Sequence, residues 1–326
     1  MNADLRIVTA PPPSAGATTA KFLLRLLVTA LMLYAILRLL DARQIWRTLT
    51  QADPWLLFAA LLLQLASAVV AAWRWQLVMW NLGFGQDFAF YCRGFFKGLF
   101  FSQGLPTSIG GDALRMLDVA ARGFRKRDAL YAIAIDRIAG FGALLVLTLC
   151  ACIANPTLLP ARLYWLVFLL VSAGLLGLAG GYAAGRHGWF ARWPRLALVH
   201  LLAEKLHQAI SRRRRLLLLS SLLVPALALL GFYATGRALG LPHGPLTYFA
   251  IVPLALVLSV IPVSIAGWGV REGALVGLFA LVGADKTAVL MMSLLYGIML
   301  IVVSLPGLMI FLRGRRRMHD RLTDEP

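Results

Sequence analysis

Long apolar runs alternate with short polar connections along most of the chain. Because a helix needs about 20 apolar residues to cross the hydrocarbon core of a bilayer, these runs predict membrane spans. We place six of them, at about 21–40, 54–73, 129–153, 161–184, 216–238 and 288–312. Two further stretches, 88–121 and 246–284, are apolar but are interrupted by glycine and proline. The pattern predicts an all-α polytopic membrane protein with roughly six to eight spans.

Basic residues are concentrated in three of the polar connections. Five lie in 112–128, eight in 185–215 and five after residue 312, whereas the connections predicted to lie outside carry two or fewer. The positive-inside rule places these three segments in the cytoplasm. With the N-terminus also inside, the stretch 88–121 has to dip into the membrane and return to the same face. The stretch 246–284 has to begin and end outside, either as a second re-entrant hairpin or as two full spans.

The chain is predicted to form one membrane domain with polar ends. A disordered cytoplasmic tail is expected over 1–20, the membrane domain over 21–312, and a basic cytoplasmic tail over 313–326. Within 185–215, apolar residues recur at helical spacing and predict an amphipathic helix on the cytoplasmic membrane surface. These residues are Leu196, Val199, Leu202, Leu206 and Ile210. The predicted location is a bacterial-type inner membrane, with both termini in the cytoplasm.

The composition narrows the classes of function. Hydrophobic residues make up 60% of the chain and charged residues 14%, and the formal net charge is +18. Since the basic residues lie between apolar runs and form no basic soluble domain, nucleic acid is not a predicted partner. Cys92, Cys150 and Cys152 lie inside apolar stretches without metal-ligand spacing. Neither a metal nor another cofactor is therefore predicted.

The two interrupted stretches resemble each other. Residues 106–115 read PTSIGGDALR and residues 262–271 read PVSIAGWGVR, so proline, serine, isoleucine, glycine and arginine recur 156 residues apart. The order of predicted elements repeats as well, which predicts two halves at about 21–153 and 161–312. Each half would hold about three spans and one broken or re-entrant helix. Because an odd number of crossings precedes the second copy, the halves are predicted to be inverted, an arrangement found in secondary transporters.

The break in each half is the candidate binding site. A helix that begins inside the membrane presents its first N–H groups and the positive end of its dipole to an anion. Ser108 and Ser264 are the predicted N-caps, and Arg115 and Arg271 lie beyond them as fixed charges for a phosphate. The other candidate residues around the breaks are Gly110, Gly111, Gly267 and Glu272. For Arg115, which lies in a basic segment, a side chain that snorkels to the interface is the alternative.

Asp136 and Arg137 are charged residues in the middle of a predicted span. A charge at that depth costs about 3 kcal/mol on insertion scales, so it normally faces a partner inside the bundle. Adjacent residues of a helix point about 100° apart, so these two need not pair with each other. Asp136 is expected to meet Arg115 or Arg271, either within a lipid site or as a purely structural ion pair.

Arg93 and Lys97 are four residues apart and share one face of the first broken stretch. They are candidates for lining a polar groove, or for binding anionic lipid at the cytoplasmic entrance. The end of the second predicted span carries aromatic residues typical of a membrane interface. These are Trp73, Trp75 and Trp80, which flank Arg74.

These motifs resemble those of the lysylphosphatidylglycerol synthase transmembrane-region proteins, also called flippase-like domain proteins. The matching pieces, in the same order within about 21–312, are 73–75, 94–98, 106–115, 136–137 and 262–272. The resemblance implies a membrane domain that moves phospholipid-like or polyprenyl-phosphate-like lipids between leaflets, and some stand-alone relatives are linked to hopanoid biosynthesis. The multiple peptide resistance factors of this family add a soluble aminoacyltransferase domain. Here about 14 residues follow the last predicted span, so lysyl transfer is not expected.

Three functions stay open at this point. The first is flippase-like transport of a phospholipid or another phosphate-bearing lipid, with an anionic headgroup as the ligand. The second is a membrane-embedded transferase that uses a lipid-linked donor and needs a general base or metal-binding carboxylates. The carboxylates available for that role are Asp112, Asp118, Asp136 and Glu272. The third is a scaffold for lipid-biosynthesis enzymes, which together with a second copy of the chain are the candidate protein partners.

Overall fold

The structure is a computed structural model that describes residues 42–104, 109–157, 159–189, 197–259 and 267–323, together with Leu27 and Tyr34. Within these ranges the chain forms eleven α-helices and no strand. In chain order the helices are α1 (Ala42–Thr50), α2 (Pro54–Asn81), α3 (Phe88–Gly104), α4 (Ile109–Ala120), α5 (Lys126–Ala154), α6 (Ala161–Arg186), α7 (Ala197–Ser211), α8 (Arg214–Ala238), α9 (Pro245–Ser259), α10 (Val270–Ala280) and α11 (Lys286–Thr323).

Five helices in the described part of the chain are long and apolar enough to cross a membrane. They are α2, α5, α6, α8 and the portion Lys286–Arg313 of α11. These helices match five of the six predicted spans, and the remaining span, 21–40, lies outside the described residues apart from Leu27 and Tyr34. The predicted class, an all-α polytopic membrane protein, is confirmed.

Two helices extend beyond their predicted ends. α2 starts at the N-cap Asp53, whose carboxylate accepts hydrogen bonds from the next backbone N–H groups, and it continues past residue 73 to Asn81. The predicted span ends before Arg74 because arginine is charged. In the structure Arg74 forms an ion pair with the buried Asp136, and the helix continues through it. α11 continues to Thr323, so much of the segment predicted as a C-terminal tail is helical.

Each interrupted stretch forms two helices that pack on each other, α3 with α4 and α9 with α10. The breaks themselves, 105–108 and 260–266, lie outside the described residues. At 1.5 Å per residue, the 15 residues of α9 and the 11 residues of α10 reach about 22 and 16 Å. Both lengths fall short of the roughly 30 Å of a hydrocarbon core. Since residues 260–266 lie outside the described residues, a re-entrant hairpin and two full spans both stay predictions for 246–284.

Helix contacts between the two predicted halves are reciprocal. The most extensive contact joins α2 to α8, which occupy the same place in the two halves. The first arm of one hairpin, α3, packs on the last span, α11, and the first arm of the other, α9, packs on α5. This pattern is the one expected of a duplicated unit, and the duplication stays a prediction. The inverted orientation of the halves stays a prediction.

The two hairpins also end alike. α4 and α10 each stop three residues before a glycine with positive φ, Gly123 (86°) and Gly283 (77°). Arg115 lies eight residues before Gly123, whereas Arg271 lies twelve residues before Gly283. The difference of four residues is about one helical turn. The two arginines therefore match in sequence without being equivalent in their helices.

The amphipathic segment forms α7, and its apolar face packs on the protein. Leu202, Leu206 and Ile210 contact the core cluster that contains Trp75. Asn81 at the end of α2 holds α7 in place by donating from Nδ2 to the carbonyl of Ala209, at 2.6 Å. Burial inside the protein accounts for the helical spacing of these apolar residues. A position on the membrane surface stays a prediction, and Leu196 lies outside the described residues.

Candidate functional site

A buried carboxylate joins three helices next to the first hairpin. Asp136 on α5 accepts a hydrogen bond from Arg74 Nε of α2, with 2.8 Å between Nε and Oδ1. Its other oxygen, Oδ2, accepts from Nη2 of Arg115 on α4 at 3.2 Å. All three side chains are at most 7% exposed. Two arginines thus share one carboxylate away from water, which is tolerated because the ion pairs offset the cost of desolvation.

A second carboxylate connects this group to a more exposed arginine. Asp112, in the first turn of α4, accepts from Arg115 Nη1 at 3.2 Å and from Arg137 Nη2 at 2.9 Å. Arg137 is 56% exposed. We call Arg74, Asp112, Arg115, Asp136 and Arg137 the buried network. With three arginines and two aspartates, the buried network carries one excess positive charge.

An aromatic side chain completes the surroundings of Arg115. The guanidinium carbon of Arg115 lies 4.1 Å from the ring centroid of Trp75, a favourable cation–π geometry. Two buried N–H groups of the network, Arg74 Nη1 and Arg115 Nε, have no hydrogen-bond partner among the described residues. Since buried donors are normally paired, these groups mark the network as a place where an additional acceptor would be stabilised.

Small residues allow α3 and α4 to approach closely beside the network. A Cβ added at Gly111 would overlap the carbonyl oxygen of Gly98 and the hydroxyl of Ser102. A Cβ added at Gly98 would lie 2.8 Å from the Gly111 carbonyl oxygen and 3.2 Å from the Arg115 side chain. Gly111 is therefore a packing residue, because the lack of a side chain at this position allows α4 to pack directly against α3. Gly110 lies on the same first turn of α4 and is half-buried.

The second hairpin holds a smaller charged cluster. Arg271, the second residue of α10, contacts its neighbour Glu272, with 2.6 Å between Nη2 and Oε1. Ser293 on α11 accepts from Arg271 Nε at 3.1 Å and donates to Glu272 Oε1 at 2.9 Å. The Glu272 side chain is fully buried and the Arg271 side chain is 9% exposed. We call Arg271, Glu272 and Ser293 the closed cluster, and its net charge is zero.

The closed cluster also caps its own helix. The N-cap of α10 is Gly269, in a positive-φ conformation, and its backbone N–H donates to Glu272 Oε2. The prediction of Ser264 as the N-cap is therefore wrong, because α10 begins five residues later than the sequence match implied. Ser264 and Ser108 themselves lie outside the described residues. Gly267 is described, with φ of 78°, in the turn just before α10.

Each predicted anion site at a hairpin thus contains a carboxylate of the chain itself. Asp112 lies in the first turn of α4 and Glu272 in the first turn of α10. Negative charge is stabilised at these positions by the helix dipole and by the first N–H groups. Arg115 and Arg271 are both buried in ion pairs, so the snorkelling alternative for Arg115 is wrong. Arg115 joins α4 to α5 through Asp136, and Arg271 joins α10 to α11 through Ser293.

Arg93 and Lys97 line a separate cavity. Lys97 Nζ lies 2.6 Å from an oxygen of Asp118 on α4. The cavity, which we call the basic cleft, has a volume of about 480 Å³ and lies between α3, the end of α4 and the end of the apolar portion of α11. It is lined by Phe90, Arg93, Gly94, Lys97, Asp118, Ala121, Arg122, Ile310 and Arg313.

The candidate residues therefore fall into three groups: the buried network, the closed cluster and the residues of the basic cleft. Asp136 meets Arg115 as predicted and does not meet Arg271, and Asp136 and Arg137 bind different partners. Sequence reasoning missed Arg74, because the tryptophans around it suggested a membrane interface, whereas Trp75 is fully buried. It also missed Ser293, for which the sequence carries no signal. Within the described ranges, no three metal-ligating side chains come together.

Comparison with known families supports this assignment of motifs. The family model described as lysylphosphatidylglycerol synthase TM region matches residues 22–307. A search of curated proteins found no match to the chain. The matched region includes four of the five described spans in full and most of the fifth, both hairpins, and the charged residues of all three groups except Arg313. It identifies a lipid-related, multi-pass membrane protein. The chain belongs to the lysylphosphatidylglycerol synthase transmembrane-region family.

Proposed function

We propose that the protein moves a lipid with an anionic, phosphate-bearing headgroup between the two leaflets of its membrane. The observation that carries this proposal is the buried network, in which three charged side chains lie inside an apolar helical domain and the one excess positive charge is the exposed Arg137. Ionised groups at that depth are expensive, and in membrane proteins they commonly mark the path of a substrate. The excess charge and the unpaired N–H groups of Arg74 and Arg115 are suited to a passing phosphate.

The two halves play different parts in this proposal. The closed cluster is neutral, its arginine and carboxylate are paired, and its helix N-terminus is capped by Glu272. It anchors the second hairpin. In the buried network, Arg137 is half-exposed, and among the described residues it binds only Asp112. Arg137 is therefore the residue that can exchange a carboxylate for a lipid phosphate with the least rearrangement.

Movement between leaflets would use the reciprocal packing of the halves. Each hairpin arm, α3 or α9, lies against the last span of the other half. Rocking of one half against the other about the α2–α8 contact would shift both hairpins together. Alternating access of this kind is the usual consequence of a repeated transporter architecture.

A transferase acting on a lipid-linked donor is the alternative, and the carboxylates argue against it. Asp112, Asp118, Asp136 and Glu272 each form an ion pair with an arginine or lysine. A general base or a metal ligand has to offer free lone pairs to a proton or an ion. Paired carboxylates are better suited to holding helices and cations in place.

Reconstitution tests the proposal. The purified protein would be placed in liposomes that contain fluorescent phosphatidylglycerol, and leaflet exchange would be followed by chemical quenching of the outer leaflet. Wild-type protein is expected to accelerate exchange. Arg137→Gln should slow it by about tenfold or more, since a charge-assisted hydrogen bond contributes about 1.5–3 kcal/mol. Arg271→Ala should also slow it, by loosening the second hairpin.

The matched control is Arg162→Gln, which removes an exposed charge from the first turn of α6 and should leave the rate unchanged. Absence of exchange with phosphatidylglycerol, cardiolipin and polyprenyl phosphate would contradict transport. Formation of a glycosylated product from a lipid-linked sugar, without leaflet exchange, would favour the transferase.

A further inference from the structure

We infer that the basic cleft is the site where the phosphodiester headgroup of an anionic lipid first binds, before the lipid reaches the buried network. This inference rests on the proposed function and adds to it a binding site separate from the buried network. Three features of the cleft support the site: its charge, its position where the apolar helix portions end, and its connection to Trp75.

The charge of the basic cleft favours an anion. Four basic side chains and one acidic side chain line it, which leaves three excess positive charges. The acidic residue, Asp118, is already paired with Lys97. Arg93 donates only to the carbonyl of Ala89 in its own helix, and Arg122 lies over the Phe90 ring. Among the described side chains, no carboxylate pairs with Arg93, Arg122 or Arg313.

The position of the basic cleft favours a lipid over a soluble anion. Arg313 ends the apolar portion of α11, and Arg122 lies in the turn after α4, so the cations are placed where headgroups meet the hydrocarbon core. Phe90 and Ile310 give the cleft an apolar wall beside the cations. A lipid offers both an anionic phosphodiester and apolar chains, whereas free phosphate offers only the charge. On the predicted topology this end of the helices faces the cytoplasm.

The basic cleft and the buried network share one wall. A Cβ placed on Gly94 would lie 3.1 Å from the Trp75 ring and 3.3 Å from Asp118 Oδ2, so Gly94 separates these two side chains. Trp75 is the ring that lies on Arg115. A headgroup that displaced Asp118 from Lys97 would therefore be separated from Arg115 of the buried network by the Trp75 side chain.

The test measures lipid selectivity by electron spin resonance. The full-length protein would be reconstituted in phosphatidylcholine vesicles with a trace of spin-labelled phosphatidylglycerol or spin-labelled phosphatidylcholine. The fraction of immobilised label is expected to be larger for phosphatidylglycerol. Arg93→Gln combined with Arg122→Gln should reduce this preference by roughly fivefold for each basic residue removed. Both residues are exposed and free of ion pairs with described residues, so the fold is expected to tolerate the change.

The matched control is Arg125→Gln combined with Lys126→Gln, which removes the same charge from exposed positions at the start of α5. This control should keep the preference. An unchanged preference in the Arg93 and Arg122 variant would overturn the inference, and so would an equal loss in the control. Displacement of the labelled lipid by inorganic phosphate, but not by chloride at equal ionic strength, would assign the basic cleft to free phosphate and also overturn it.

The inference and the proposed function can fail separately. If the Arg93 and Arg122 variant loses lipid selectivity yet exchanges lipid at the wild-type rate, the basic cleft is not an entry site, while transport stands. If the wild-type protein exchanges no lipid, transport fails, and headgroup selectivity still decides whether the basic cleft binds lipid.

Discussion

Arg74 Nε lies 2.8 Å from Asp136 Oδ1, and this ion pair joins α2 to α5 in the interior of the protein. Arg115 shares the same carboxylate from α4. One aspartate therefore fixes the relative positions of two membrane-length helices and the second arm of a hairpin. Without it, two arginines would be left in an apolar environment with nothing to balance them except Asp112, which binds Arg115 and Arg137 but not Arg74.

Replacing Asp136 by asparagine should destabilise the protein strongly. Removing one partner of a buried ion pair leaves the other charge uncompensated, which typically costs about 3–5 kcal/mol. Thermal unfolding of the detergent-purified protein would measure the loss. Glu204→Gln is the control, because that carboxylate is 57% exposed and an exposed pair contributes about 1 kcal/mol or less. Equal unfolding temperatures for the two variants would contradict a central role for Asp136.

Ser293→Ala should weaken the closed cluster. The hydroxyl of Ser293 accepts from Arg271 and donates to Glu272, and its loss leaves buried polar groups without that partner. The expected cost is about 1–3 kcal/mol, read from unfolding in denaturant. Ser211→Ala removes an exposed hydroxyl that bonds only within its own helix, and it should have almost no effect. A Ser293→Ala protein as stable as this control would show that the hydroxyl contributes nothing.

Gly111→Ala should separate α4 from α3. The added methyl group would overlap the Gly98 carbonyl and the Ser102 hydroxyl, and overpacking of this kind costs about 1–3 kcal/mol. Gly177→Ala in α6 is the matched control, because nothing lies within 4 Å of its new Cβ and alanine favours helix formation. The first variant should lose stability and lipid exchange, whereas the second should keep both. The opposite order would show that the close crossing is unimportant.

Labelling of single cysteines would decide the predicted orientation of the hairpins. In a chain from which Cys92, Cys150 and Cys152 have been replaced, Ala121→Cys and Leu281→Cys would each be treated with a membrane-impermeant maleimide. Both positions are exposed and lie in the turns that follow α4 and α10. Inverted halves require label from the cytoplasm at 121 and from outside at 281. Labelling of both from one side would exclude the inverted arrangement.

Hydropathy and glycine positions were sufficient to predict the all-α membrane class and the five spans in the described part of the chain. The spans at 129–153 and 161–184 agree with α5 and α6 to within three residues. The two interrupted stretches form helix pairs, because proline and glycine at the breaks interrupt an otherwise continuous apolar helix. These features depend on local sequence alone, which is why they could be predicted.

The partners of the charged residues depend on tertiary packing and could be predicted only in part. The need of Asp136 for a basic partner follows from its depth in a span, but the choice of Arg74 depends on how α2 crosses α5. A single sequence also does not show where each second arm begins. α10 begins just before Arg271, whereas α4 begins more than one turn before Arg115. That offset converts a predicted phosphate ligand, Arg271, into one member of a neutral cluster.

The reciprocal packing of α3 on α11 and of α9 on α5 has a consequence for the origin of the molecule. Spans of its own half also contact each hairpin, so a single copy of the predicted unit would cover its hairpin only in part. On the predicted duplication, a second copy would supply the remaining cover, and an ancestral single unit is expected to have paired with another chain. Fusion of the two genes would then have made that pairing permanent.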